Sequence, residues 1–220
     1  MYYPVMLDLR GRPVLFIGGG CETEAKVRSL LEVGAAVTLI SPHPHPGLEP
    51  LLEDGKGPRF RWLRRGYRRG DLEGFQLCFA HPRERWLHPL IAQEARERGV
   101  WLNTVDDPAH CDFILPAVHR QGALIIAVST SGVAPALGVR IRQELAKKYG
   151  PEYKEFLQIL HAYRTIVKET FPHDFQARKA AWYRMMDSPA LELVARGETE
   201  EAREVLLRAL HQSGLEGVSS

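Results

Sequence analysis

Four apolar residues in a row, Val14-Leu15-Phe16-Ile17, follow a polar turn at residues 8–13 and run into three glycines. A short apolar run bounded by turn residues predicts a strand buried on both faces. Between residues 21 and 33 the apolar positions Ala25, Val27, Leu30 and Leu31 recur at helical spacing. Gly34 then stands where a helix end favours a left-handed residue. Ala36-Val37-Thr38-Leu39-Ile40 predicts a second strand, completing a strand, glycine turn, helix, strand unit. The alternation continues through predicted strands at 60–63, 75–80 and 100–105. An amphipathic helix predicted at 84–98 is stopped by Gly99. Such alternation implies an α/β, Rossmann-like, mostly parallel sheet with helices on both faces.

The rhythm changes after residue 112. Residues 113–118 and 123–129 read as extended segments separated by Arg120-Gln121-Gly122, which predicts an antiparallel pair. A helix follows at 134–148, with Pro135 tolerated in its first turn, and Gly150-Pro151 breaks the chain. Beyond it Tyr153, Phe156, Leu157, Leu160, Tyr163 and Val167 form one apolar stripe, and the remaining apolar positions predict further helices. The methionines and aromatics here read as packing. The expected division is a nucleotide-binding domain at 1–112, a small β/α dimerisation segment at 113–149 and a helical C-terminal domain at 150–220. A lone β pair is too small to be stable by itself, and pairing with a second copy would supply the missing cover.

Composition adds bounds. The chain has 220 residues with 45% hydrophobic and 25% charged positions, ordinary for a globular protein. No apolar run approaches the roughly 18 residues of a membrane span, and the N-terminus lacks the regions of a signal peptide. A cytoplasmic protein is therefore expected. A net charge of +2 and the lack of a DNA-reading helix argue against a nucleic-acid partner. Cys21, Cys78 and Cys111 are too widely spaced for a disulfide framework or a permanent metal site, so no metal ligand is assigned.

The candidate chemistry begins at Gly18-Gly19-Gly20. A glycine turn between a strand and a helix lets backbone amides approach a pyrophosphate at the positive end of the helix. Thr23 occupies the third glycine position, which implies a looser helix–strand approach. Glu22 and Glu24 suit the helix dipole, but would repel a phosphate that they faced. No acid follows the second strand, which reads Ile40-Ser41-Pro42-His43. At the far side, Asn103-Thr104-Val105-Asp106-Asp107-Pro108 puts adjacent carboxylates at the carboxyl end of a predicted strand, where open α/β sheets bind ligands. Asp106, Asp107 or Asp112 could act as a base, or all three could cap turns. Ser129 to Leu137 is a small-residue loop opening a helix, a further potential anion site.

Taken together, Tyr3 to Arg12, Val14 to Gly20, Leu30 to Thr38, Asn103 to Pro116 and Ala127 to Leu137 resemble the precorrin-2 dehydrogenase family of siroheme synthesis. That family includes the amino-terminal modules of multifunctional siroheme synthases. The resemblance implies NAD as cofactor and oxidation of precorrin-2 to sirohydrochlorin. In some members it also implies insertion of ferrous iron to give siroheme. It places the catalytic aspartate at Asp106 and cofactor contacts at Gly18, Gly20, Cys21, Glu22, Pro42 and His43. It also implies a homodimer. The chain departs from the family pattern at Glu22, Thr23 and Ala25, at Ala80-His81-Pro82, and at Val139, where an arginine is common.

A tetrapyrrole rich in carboxylates needs basic groups facing it, and His119, Arg120, Arg140 and Arg142 are the candidates. Arg59, Arg61, Arg64, Arg65, Arg68 and Arg69 read as a solvated face, with steering of an anionic substrate as the alternative. Two rival functions remain: an NAD-linked oxidoreductase for another substrate, and an NAD-binding redox sensor without turnover.

Overall fold

The computed structural model describes residues 2–19, 21–43, 46–53 and 59–212. It divides into two compact units, Met1–Leu115 and Pro116–Ser220.

The first unit is built on a five-stranded parallel sheet. Its strands are β1 (Pro13–Ile17), β2 (Ala36–Ile40), β3 (Phe60–Leu63), β4 (Leu77–Ala80) and β5 (Trp101–Thr104), in the order β3-β2-β1-β4-β5. The continuous apolar run of β1 has a direct cause. Val14 and Phe16 join the core under α1 (Cys21–Glu32), together with Val27, Leu30 and Leu31. Leu15 and Ile17 join the opposite core with Ile91, Ala92 and Ala95 of α3 (Leu87–Arg98). Burying each such side chain contributes about 1.5–3 kcal/mol. A one-turn helix, α2 (Pro50–Glu53), lies between β2 and β3. Gly34 and Gly99 both adopt the left-handed conformation expected of them after helices, with φ of 86° and 67°.

No helix bridges β3 and β4. Residues 64–76 cross in turns that Asp71 ties internally, through Arg65 and the Arg68 amide, and that Glu94 of α3 anchors. Its side chain, 1% exposed, accepts from Tyr67 Oη at 2.5 Å, from the amides of Gly70 and Leu72, and from Arg98 Nε. Burial pushes this carboxyl up, but the hydrogen bonds outweigh it and hold the group below its usual range.

The second unit opens with β6 (Ala117–Gln121) and β7 (Leu124–Val128), an antiparallel hairpin turned at Gly122-Ala123. The first of these strands was expected from residue 113. Instead, residues 112–113 attach to β5 and β4: the Asp112 amide donates to the Leu102 carbonyl at 2.7 Å, and the Phe113 ring meets Phe79 of β4 edge-on at 5.4 Å. The apolar look of that segment serves the first unit's core. Helix α4 (Pro135–Lys148) follows the hairpin. Helices α5 (Glu152–Thr170), α6 (Phe175–Asp187), α7 (Ala190–Ala195) and α8 (Thr199–His211) share one core around Phe156, Leu160, Met185, Leu193 and Leu206. Among the described residues no helix is long and apolar enough to cross a membrane.

Candidate active site

The strand order makes β1 and β4 the switch point of the sheet, and its carboxyl edge is the expected ligand crevice. Gly18 closes β1 there with φ of 106°, and its amide donates to the Ile40 carbonyl at 2.8 Å. A Cβ at this position would lie 1.9 Å from the His81 carbonyl oxygen. Only glycine lets the ends of β1 and β4 come this close. Gly20 lies outside the described residues, and Cys21 opens α1. The first-turn amides of such a helix have no intrahelical acceptor and carry partial positive charge.

The acids of that turn do not spoil it. Glu22 accepts from Lys26 Nζ at 3.0 Å, and this hydrogen bond holds its carboxyl below the usual range. Glu24 accepts from Arg28 Nε at 2.8 Å, and Arg28 also donates to the Gly47 carbonyl. Both carboxylates are thus matched by cations one turn further along the helix. Thr23 is fully buried, so the third glycine position is filled by a side chain packed inside the unit. Its hydroxyl has no partner among the described residues. A glycine-closed strand end, free helix amides and neutralised acids together fit a dinucleotide pyrophosphate.

At the end of β2, Ser41 is buried and its carbonyl accepts from Trp62 Nε1 at 2.8 Å. Pro42 and His43 follow it, both exposed.

The end of β5 separates three aspartates that the residue pattern alone left open and of which the family resemblance favoured Asp106. Asp112 Oδ2 accepts from the Leu102 amide at 2.8 Å, so its carboxylate binds the outer edge of β5. Asp107 Oδ2 accepts from two rings, His110 Nδ1 at 2.8 Å and His88 Nδ1 at 3.1 Å. Desolvation pushes the Asp107 carboxyl up, but these two hydrogen bonds outweigh it and leave it lowered. Asp106 is different. It is exposed, makes no hydrogen bond or ion pair among the described residues, and sits at φ 58°. Positive φ is uncommon outside glycine and is maintained only where neighbouring contacts demand it. Those contacts are present: Thr104 and Asp107 carbonyls meet the Cys111 thiol, the Thr104 amide reaches Cys111 Sγ at 3.1 Å, and Thr104 Oγ1 donates to the His110 carbonyl.

The two histidines on Asp107 were not foreseen. His88 lies 19 residues away on α3, 7% exposed, and its Nε2 has no partner among the described residues. His110, three residues after Asp107, was within reach of a short-range reading.

In the second unit, His119 is buried on β6 and its Nε2 donates to the Tyr149 carbonyl at 2.6 Å. Arg120 is exposed on the same strand. Arg140 is exposed on α4 with Glu144 3.7 Å away, while Arg142 is half-buried. Two residues apart on a helix, those arginines point to different sides. The arginine group at 59–69 breaks up as well. Arg65 grips Asp71 with two bonds of 2.7 Å, Arg69 pairs with Glu97, and Arg64 lies over the Trp62 ring. No group of three or more His, Cys, Asp or Glu among the described residues is arranged to hold a metal ion.

Three family models tile the chain. Residues 5–117 match a putative NAD(P)-binding family, residues 121–148 the sirohaem biosynthesis protein central region, and residues 152–210 the sirohaem synthase dimerisation region. The chain belongs to that putative NAD(P)-binding family, whose match takes in just over half of it. It is 33% identical over 208 residues to a siroheme synthase of Methylococcus capsulatus, covering 94% of this chain and 43% of that protein. A siroheme synthase of Stutzerimonas stutzeri is 34% identical over 95% of this chain and 44% of its own length. The chain thus spans less than half the length of these relatives. Its fold matches a solved structure described as SirC, precorrin-2 dehydrogenase, with a TM-score of 0.75 at 23% identity, covering 94% of this chain and 98% of the other. The NAD(P)-binding match covers the whole five-stranded sheet and agrees with the NAD cofactor that the resemblance in the sequence implied.

Proposed function

We propose that this chain oxidises precorrin-2 to sirohydrochlorin with NAD⁺. The observation that carries the reading is the exposed Asp106 carboxylate, without a partner among the described residues and held at φ 58° on the crevice edge, while Asp107 and Asp112 are engaged in bonds of their own. Gly18, Gly20 and the start of α1 with Cys21 and Glu22 would hold the pyrophosphate, with Pro42 and His43 beside the adenosine. When bound, NAD⁺ supplies the two-electron acceptor, taking a hydride from the tetrapyrrole. Asp106 accepts the proton released with that hydride and passes it to water. Its freedom from other partners leaves both oxygens available, and the strained turn fixes where they point. Two electrons and two hydrogens leave the substrate, one as hydride and one as the proton on Asp106.

Arg120, Arg140 and Arg142 are the groups proposed to meet the substrate carboxylates. His119 is the weaker candidate, because its Nε2 is engaged by Tyr149. The match of residues 152–210 to a dimerisation region, and a two-stranded hairpin with half-exposed faces, support a homodimer. In a ferrous iron insertion step, iron would be a substrate, and the Asp106 carboxylate would take the displaced pyrrole protons. A cytoplasmic setting completes the proposal.

The test is anaerobic incubation of the purified chain with precorrin-2 and NAD⁺, following sirohydrochlorin by absorbance. Turnover above the protein-free rate is expected; none from folded protein would overturn the reading. Adding ferrous iron to sirohydrochlorin and measuring siroheme above the uncatalysed rate tests the iron step separately.

A further inference from the structure

In a crevice of this topology the adenosine ribose rests at the end of the second strand. An acid there binds the 2′-hydroxyl of NAD, and an arginine accommodates the 2′-phosphate of NADP. The acid is missing here. The chain turns through Ser41, Pro42 and His43, and the Ser41 side chain is buried. The neighbouring strand supplies a cation instead. β3 pairs with β2 in parallel, Ile40 beside Leu63, and the Ser41 amide donates to the Leu63 carbonyl at 3.2 Å. Arg64 therefore leaves the sheet beside Ser41.

Three facts favour this arginine as an anion contact. Its guanidinium carbon lies 4.0 Å from the centroid of the Trp62 ring, and the Trp62 indole is itself fixed by its bond to the Ser41 carbonyl. The side chain is thereby held on a platform anchored to the end of β2. Next, Arg64 makes no ion pair among the described residues, whereas Arg65 and Arg69 are matched by Asp71 and Glu97. Finally, the acid Glu24, on the side of α1, is matched by Arg28. A pre-placed guanidinium without an ion pair among the described residues thus stands beside the end of β2, where Ser41, Pro42 and His43 offer no acid to oppose a phosphate.

We propose that the crevice accepts the 2′-phosphorylated dinucleotide, NADP⁺, as well as NAD⁺, with Arg64 on the Trp62 ring as the counter-charge of the 2′-phosphate. The inference rests on the dinucleotide reading of the crevice, and not on the identity of the tetrapyrrole. An arginine stacked on an aromatic presents its N–H edge in a fixed plane, which suits phosphate better than a freely moving cation.

Isothermal titration of the full chain with NAD⁺ and with NADP⁺, without tetrapyrrole, tests it. The expected result is an NADP⁺ Kd within about tenfold of the NAD⁺ value or tighter. R64Q should weaken NADP⁺ about tenfold and leave NAD⁺ within about twofold, a difference one charge-assisted contact supplies. R64K, which keeps the charge but not the stacked plane, should recover part of the loss. Because Arg64 is exposed, neither variant threatens folding, which unfolding curves of the variants would verify. NAD⁺ binding with NADP⁺ more than tenfold weaker would overturn this inference and leave the proposed function standing. So would an R64Q variant that weakens both dinucleotides equally. Binding of neither would overturn both readings.

Discussion

Gly18 and the His81 carbonyl stand so close that a single added carbon would fall 1.9 Å from the oxygen. The contact joins the end of β1 to the end of β4 at the switch point, so the crevice geometry depends on it. Gly18→Ala would meet both this clash and a φ of 106°, which L side chains rarely adopt. The expected cost is about 2–4 kcal/mol of stability. Dinucleotide affinity should fall as well, because the two strand ends must part. Chemical denaturation and calorimetric titration would measure each effect; an unchanged midpoint would refute the contact.

Asp106 makes a sharper test because its backbone and its carboxylate can be separated. Asparagine tolerates the left-handed conformation better than most residues but does not take up a proton as a carboxylate does. Asp106→Asn should therefore keep the thermal midpoint within a few degrees while lowering kcat on the order of 10²–10⁴-fold. The Kd for NAD⁺ should stay the same. A variant turning over precorrin-2 at the parental rate would clear Asp106 of a proton-transfer role.

Asp107 couples the same turn to acidity. Its carboxyl lies below the ordinary value of 3.8 in the folded chain, through the hydrogen bonds from His110 and His88 that outweigh desolvation. A group depressed in the folded state stabilises above its unfolded pKa, and that stabilisation is lost as pH falls through the folded one. Urea unfolding should show Asp107→Asn less stable than the parent at pH 6. The gap should narrow below about pH 4. A gap that widened on acidification would contradict this wiring.

The sequence made the first unit legible where one segment decides its own fate. The run Val14 to Ile17 can only be a strand covered on both faces, and Gly34 and Gly99 mark helix ends through their own backbones. Segment 113–116 misled because an aromatic and apolar stretch suits a strand as well as a patch over β4 and β5. Only the Phe79 ring, far away in sequence, decides between them. Without the family resemblance, which pointed to Asp106, the three aspartates could not be ranked for the same reason. Asp107 is set apart by His88 on α3, and Asp112 by the unpaired edge of β5. The arginines at 59–69 looked like one field until Trp62, Asp71 and Glu97 took them separately.

Between β3 and β4, where no helix lies, Glu94 anchors the crossing segment to α3 with a buried carboxylate. Glu94→Ala would strand the Tyr67 hydroxyl and the Gly70 and Leu72 amides away from solvent, besides releasing Arg98. Leaving such donors unpaired costs about 1–3 kcal/mol each where no water replaces the acceptor. A total loss of about 3–5 kcal/mol is expected, the range for breaking a buried charged network. Hydrogen exchange should show the 67–72 segment opening before the sheet; uniform loss of protection would argue against a local strut.

The proposed substrate contacts lie in the second unit, apart from the proposed proton acceptor. Arg120 is exposed on β6, and Arg142 is half-buried on α4 without an ion pair among the described residues. Arg140 already has Glu144 3.7 Å away. Removing a cation that binds a substrate carboxylate equally in ground and transition states raises KM and leaves kcat alone. Arg120→Gln and Arg142→Gln should each raise the KM for precorrin-2 about 5–10-fold, as expected for one charge-assisted contact. Arg140→Gln should have a smaller effect, since part of its charge is spent on Glu144. The Kd for NAD⁺ should be unchanged in all three, because the crevice belongs to the first unit. Steady-state kinetics with precorrin-2 varied at saturating NAD⁺ would decide the matter. A fall in kcat with unchanged KM would move these arginines from substrate binding into the chemical step.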